Sequence, residues 1–177
     1  MMMLLRVLMR SINCSAIHVL NIMPSFQSRR IVPFTPEQMF ALVADVEQYP
    51  QFLPLCEGLV VRERTHNRDG LEQIIATMKV GYKAIHESFT TRVTLDPERA
   101  CITVNYIDGP FRVLENVWRF SPQPHENGCV VLFDLTYEFK NLALGFLMGA
   151  MFDRAFRKFS EAFEARGHLI YGAVNNS

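Results

Sequence analysis

From Leu59 to Lys140 the apolar residues recur with a period of two, and after Lys140 the period changes once, to three and four. That single switch constrains the fold more than any other feature. It describes a run of short strands followed by one long helix. In 85–95, Ile85, Phe89, Val93 and Leu95 share one face, while His86, Ser88, Thr90, Arg92 and Thr94 share the other. Ile102, Val104 and Tyr106 alternate next, then Leu114, Asn116, Trp118 and Phe120. Val131, Phe133, Leu135, Tyr137 and Phe139 form the clearest alternating run. Turn signals at Asp96-Pro97-Glu98-Arg99, at Asp108-Gly109-Pro110 and across 122–128 separate these runs. About six or seven strands joined by short turns predict an antiparallel meander.

The helix after the switch is expected over 142–166. Its stripe is Leu144, Leu147, Met148, Phe152, Ala155, Phe159 and Phe163. A single sheet has to bury one face, and this helix is the only element long enough to cover it. The expected fold is therefore α+β: a curved antiparallel sheet wrapped around a long C-terminal helix, with an apolar cavity between them. Ahead of the meander, 25–33 reads as a first strand. Thr35-Pro36-Glu37-Gln38 then carries a capping box with a proline in the first turn. The helix it starts should end at Tyr49-Pro50, because a residue before proline avoids the α region. A short helical turn is expected over 51–56.

Residues 1–30 form a different kind of segment, with Arg6, Arg10, Arg29 and Arg30 and no acidic residue. Their apolar runs fall short of the ~20 residues that span a bilayer. Two readings stay open for 1–23, a targeting segment or a start placed too far upstream. The domain is expected over 24–170, with 171–177 as a tail.

Charge excludes one class of function. Lys and Arg total 18, Asp and Glu total 18, and the net charge is zero. A DNA-binding protein needs a basic excess to neutralise phosphates, so DNA is not expected as a partner. The four cysteines are far apart with no CxxC pair, which suits free thiols. The histidines show no paired metal-ligand spacing, and there is no GxSxG and no glycine-rich phosphate loop. His86 and Glu87 point to opposite faces of one strand. No nucleophile, base and orienting group assemble, and no pair of buried polar residues stands out. The reading is non-enzymatic, with no metal and no cofactor beyond a bound ligand.

Two segments carry the functional signal. From Leu142 to Phe152 no residue is charged on any face. A helix apolar all round is covered on all sides, touches membrane, or lines a ligand space. Gly145 and Gly149 lower its helix propensity, as suits a segment that bends or opens. The second segment, 49–55, is uncharged and carries two prolines. Together they suggest the two lips of a cavity mouth. Fourteen Phe against five Tyr and one Trp fit either a wide filled core or an apolar cavity. Met78, Met148 and Met151 would add adaptable surface.

Residues 25–170 resemble the coenzyme Q-binding protein and ribosome-association toxin family, within the START-like polyketide cyclase/dehydrase superfamily. The resemblance rests on Val46-Glu47-Gln48-Tyr49-Pro50-Gln51-Phe52-Leu53-Pro54-Leu55-Cys56, then Asp108-Gly109-Pro110-Phe111, then Trp118-Arg119-Phe120-Ser121-Pro122, then Phe133 through Phe139. It implies a helix-grip fold with a hydrophobic tunnel. It also implies one of two functions: a ubiquinone chaperone supporting respiration, or a regulator that binds the large ribosomal subunit and blocks subunit association. Neutral charge and the apolar 142–152 segment favour the lipid reading. A cyclase-type enzyme is a distant third, since the superfamily holds some.

The expected ligand is ubiquinone or a similar isoprenoid lipid, its chain lying between sheet and helix. The expected walls are Phe52, Leu53 and Leu55 from the proline segment, then Phe89, Tyr106, Phe111, Trp118, Phe133 and Tyr137 from the strands, and Leu147, Met151 and Phe152 from the helix. Tyr106 or Tyr137 would hold the headgroup near the mouth. Residues 142–152 would make peripheral contact with a membrane, and a charge at Leu147 or Phe152 should abolish lipid uptake. The expected location is the bacterial cytoplasm beside the inner membrane, or alternatively the matrix side of the mitochondrial inner membrane.

Overall fold

The computed structural model describes residues 25–82, 84–124 and 128–172, with the side chains at 144, 147–153 and 156 outside the description. The strands are β1 (Ser25–Val32), β2 (Cys56–His66), β3 (Glu72–Tyr82), β4 (Ile85–Asp96), β5 (Cys101–Asp108), β6 (Phe111–Pro122) and β7 (Cys129–Phe139). Helices α1 (Pro36–Ala44) and α2 (Tyr49–Phe52) lie between β1 and β2, joined by a 3₁₀ turn at Val46–Gln48. The long helix α3 spans Leu142–Tyr171.

All seven strands form one curved antiparallel sheet in the order β1-β7-β6-β5-β4-β3-β2. The meander runs from β2 to β7 as the alternation predicts. The first strand then pairs with the last, Ser25 opposite Thr136 and Val32 opposite Cys129. Alternation decides which face is inward. On β7 the odd-numbered positions from Val131 to Phe139 are buried, and so are Leu114, Asn116, Trp118 and Phe120 on β6. The β5–β6 hairpin needs Gly109, whose φ is +135°. A Cβ there would stand 2.7 Å from the Cβ of Phe89.

Helix α1 starts where the capping box places it. The Gln38 amide donates to Thr35 Oγ1 at 3.2 Å, and the Thr35 amide donates to Gln38 Oε1 at 2.9 Å. Its end differs from expectation. The helix stops at Ala44, and Tyr49-Pro50 opens α2 instead of closing α1. Pro50 sits in the first turn of α2, where its missing N–H costs nothing.

Helix α3 runs five residues past its expected end at Arg166. The Tyr171 hydroxyl donates to the Gln38 carbonyl at 3.2 Å, and Phe34 packs on His168 and Tyr171. Gly167 lets the helix come close here, since a Cβ would lie 2.6 Å from the buried Phe34 ring. Arg30 of β1 reaches Glu164 at 2.6 Å. Phe163 is the central anchor, with ring contacts to Tyr49, Phe52 and Trp118 between 5.2 and 5.4 Å.

Candidate functional site

The inner face of β3 to β7, the segment from Val43 to Leu59 and helix α3 enclose an apolar cavity of about 150 Å³. Its floor is sheet: Ala76 and Met78 on β3, Phe89 and Val93 on β4, Trp118 on β6, Phe133 on β7. Its roof is Ala155, Phe159 and Phe163 of α3, with Val43, Val46, Tyr49 and Leu53 closing one side. Tyr49 is held by donating its hydroxyl to the Val43 carbonyl at 2.5 Å. Burial first, and the Asp45 carboxylate second, push its phenol well above the usual range, so it stays neutral.

The cavity reaches towards the surface at the β3–β4 hairpin, where Gly81, Tyr82, Ile85 and Glu87 line it. Leu55 faces them from the start of β2. Its φ is +67°, unusual and costly for a branched residue, and its carbonyl accepts the Gly81 amide at 3.0 Å. Glu57 folds over Gly81, and its carboxylate contacts His86 Nδ1 at 3.0 Å. The end of the 49–55 segment is thus fastened to the hairpin by backbone, and Glu57 just beyond it adds a side-chain contact.

The expected wall residues fall into three groups. Leu53, Leu55, Phe89, Trp118 and Phe133 line the cavity. Phe52, Tyr106, Phe111 and Tyr137 do not: Phe52 packs under Arg166 and against Phe163, while Phe111 fills the core between Phe89, Tyr106 and Phe139. Tyr137 packs against Phe139. Leu147, Met151 and Phe152 belong to α3, but their side chains lie outside the described residues. The Tyr106 hydroxyl is enclosed with no hydrogen-bond partner among the described residues. Since an unmet buried hydroxyl costs about 1–3 kcal/mol, Tyr106→Phe should raise stability by about 1 kcal/mol. Urea denaturation reads this directly, and a lower midpoint would show that the hydroxyl has a use.

Sequence reasoning missed the polar residues of the cavity. Thr91 is 7% exposed and Asn116 is 8% exposed, and both line it, as does Glu87 nearer the surface. The signal was present: Glu87 and Thr91 share the parity of Ile85, Phe89 and Val93 and so must point inward. The expectation that no buried polar pair exists therefore gives way to Thr91 and Asn116.

At the same end of the sheet, α3 begins exposed. Leu142 is 85% and Phe146 is 92% accessible, one helical turn apart. Tyr82 and Ile107, also exposed, end β3 and β5 on that side. Lys140 fixes the approach by donating from Nζ to the Gly109 carbonyl at 3.0 Å. No helix among the described residues is long and apolar enough to cross a membrane.

Comparison with known proteins places this architecture. The sequence pattern of the family described as polyketide cyclase/dehydrase and lipid transport matches residues 32–164. The ribosome association toxin RatA of Escherichia coli is 36% identical over 152 residues, covering 86% of this chain and 92% of the toxin. The mitochondrial coenzyme Q-binding protein COQ10 homolog B of Xenopus laevis is 30% identical over 149 residues, covering 83% of this chain and 59% of that protein. The solution structure of an 18 kDa protein from Caulobacter crescentus superposes with a TM-score of 0.70 at 34% identity, over 85% of this chain and 100% of that one. With its helix-grip fold and its closeness to both groups of relatives, the chain belongs to the START-like polyketide cyclase/dehydrase and lipid transport family.

Proposed function

We propose that this protein binds a ubiquinone-like isoprenoid lipid without transforming it, and exchanges that lipid with a membrane surface. One observation carries the reading: an apolar cavity opens at the end of the molecule where Leu142 and Phe146 stand in solvent. Exposed large apolar residues grouped together mark a surface that meets something apolar. A bilayer surface fits, because residues 141–152 hold no charge that would resist burial. The cavity volume limits what enters. A space of about 150 Å³ has room for roughly one six-membered ring. The ring of the lipid would sit inside, and its chain would leave past Leu55, Tyr82 and Ile85 towards the membrane.

The second reading is a ribosome-binding regulator. It is favoured by the higher identity to the relatives named ribosome association toxins. The deciding experiment is organic extraction and mass spectrometry of the full-length protein, purified from cells that make ubiquinone. Near-stoichiometric quinone supports the lipid reading. Protein that is folded, lipid-free and co-sediments with large ribosomal subunits overturns it.

A further inference from the structure

Among the described residues, the cavity lining is apolar except for Glu87, Thr91 and Asn116, and Tyr49 and Tyr82 at its edges. A buried polar side chain normally has its hydrogen bonds met by protein. Asn116 meets half of that need: its Nδ2 donates to the Asp134 carbonyl at 2.9 Å. That bond fixes the orientation of the amide, since only the nitrogen can face a carbonyl. Asn116 Oδ1 and the Thr91 hydroxyl then have no hydrogen-bond partner among the described residues, and neither does the Glu87 carboxylate. The three sit along one path. Glu87 is at the hairpin, and Thr91 is four residues deeper on β4. Asn116 is on β6 in the row that runs from Val93 through Val104.

These groups are unequal in what they offer. At Thr91 and Asn116 the hydroxyl and amide oxygens supply about twice as many acceptor sites as the donors left, which are the Thr91 O–H and one Asn116 N–H. Glu87, four residues away on β4, adds acceptors only nearer the surface. A quinone ring brings only acceptors and would leave most of these sites unmet. A hydroquinone ring brings two O–H donors of its own. We propose that Thr91 and Asn116 form a headgroup seat deep in the cavity, and that it selects the hydroxylated, reduced ring over the quinone. This inference rests on the lipid-binding reading and adds to it which redox form is carried. Ring size agrees, because the cavity admits about one ring. The seat also differs from the Tyr106 or Tyr137 site near the mouth that the sequence led us to expect.

One additional net hydrogen bond between neutral groups shifts an affinity by up to about tenfold, which sets the size of the expected preference. Isothermal titration of the full-length protein with decylubiquinol under argon, and separately with decylubiquinone, measures it. The wild type should bind the quinol about tenfold more tightly. Thr91→Val, which keeps the shape and removes the hydroxyl, should erase much of that ratio, and Thr91→Ser should retain it. Asn116→Leu should act as Thr91→Val does; should it fail to fold, the Thr91 pair decides alone. Equal affinity for the two forms, or a ratio untouched by Thr91→Val, overturns the seat while leaving lipid binding intact. Failure of both forms to bind overturns the lipid reading itself.

Discussion

Replacing Leu142 and Phe146 together by glutamate is expected to reduce association with liposomes by about a thousandfold and to leave the melting temperature unchanged. Each side chain, fully transferred from water into an apolar phase, contributes about 2 kcal/mol, and about 4 kcal/mol corresponds to roughly three orders of magnitude in partition. Stability should not fall, because at 85% and 92% exposure neither side chain supports the core. The helix start should even gain. Asn141 already accepts the Ala143 amide at 2.8 Å, and the glutamate at position 142, in the first turn, meets the positive end of the helix dipole. Flotation with vesicles resembling a bacterial inner membrane, followed by a thermal melt of the same samples, gives both numbers. Unchanged flotation would mean that the exposed turn serves another partner.

Ala76→Phe is expected to empty the cavity of ligand, lowering bound lipid to about a tenth or less, without unfolding the protein. Ala76 is 3% exposed, lines the cavity, and lies opposite Thr91 across the β3–β4 ladder. A phenyl ring added there would occupy the place of the ligand ring. Enlarging a packed core costs about 1–3 kcal/mol. Filling a void returns about 24 cal/mol per Å³, which for a ring of roughly 100 Å³ is about 2 kcal/mol. The two nearly cancel. Extraction and mass spectrometry should therefore show loss of lipid beside a melting temperature within a few degrees of wild type. A variant that still carries lipid in full would move the binding place elsewhere.

Short-range signals in the chain are legible, and long-range ones less so. Thr35 and Gln38 are three residues apart and settle their helix start between themselves. The alternation from Ile85 to Phe139 gave strand faces, because side-chain direction follows directly from parity. Parity cannot say how far along a strand the cavity extends. Phe111 and Tyr137 point inward like Phe133, yet pack in the core beyond it. Glu87 and Thr91 were readable by the same rule, but polar residues on an apolar face are easily taken as interruptions. Tyr49-Pro50 misled because proline stops a helix from within and suits one at its start. The pairing of β1 with β7 had no local signature at all.

That last pairing reaches into how the molecule is made. Ser25 waits for Thr136, and Arg30 waits for Glu164, so more than a hundred residues must leave the ribosome before either contact forms. Contacts of such sequence separation slow folding. Hairpins β2–β3 through β6–β7 can assemble as they emerge, but their apolar face has no cover until α3 is complete. The growing chain therefore carries an uncovered greasy trough, a natural substrate for chaperones, from its first hairpins onward, and only the thirty residues of α3 bring that exposure to an end.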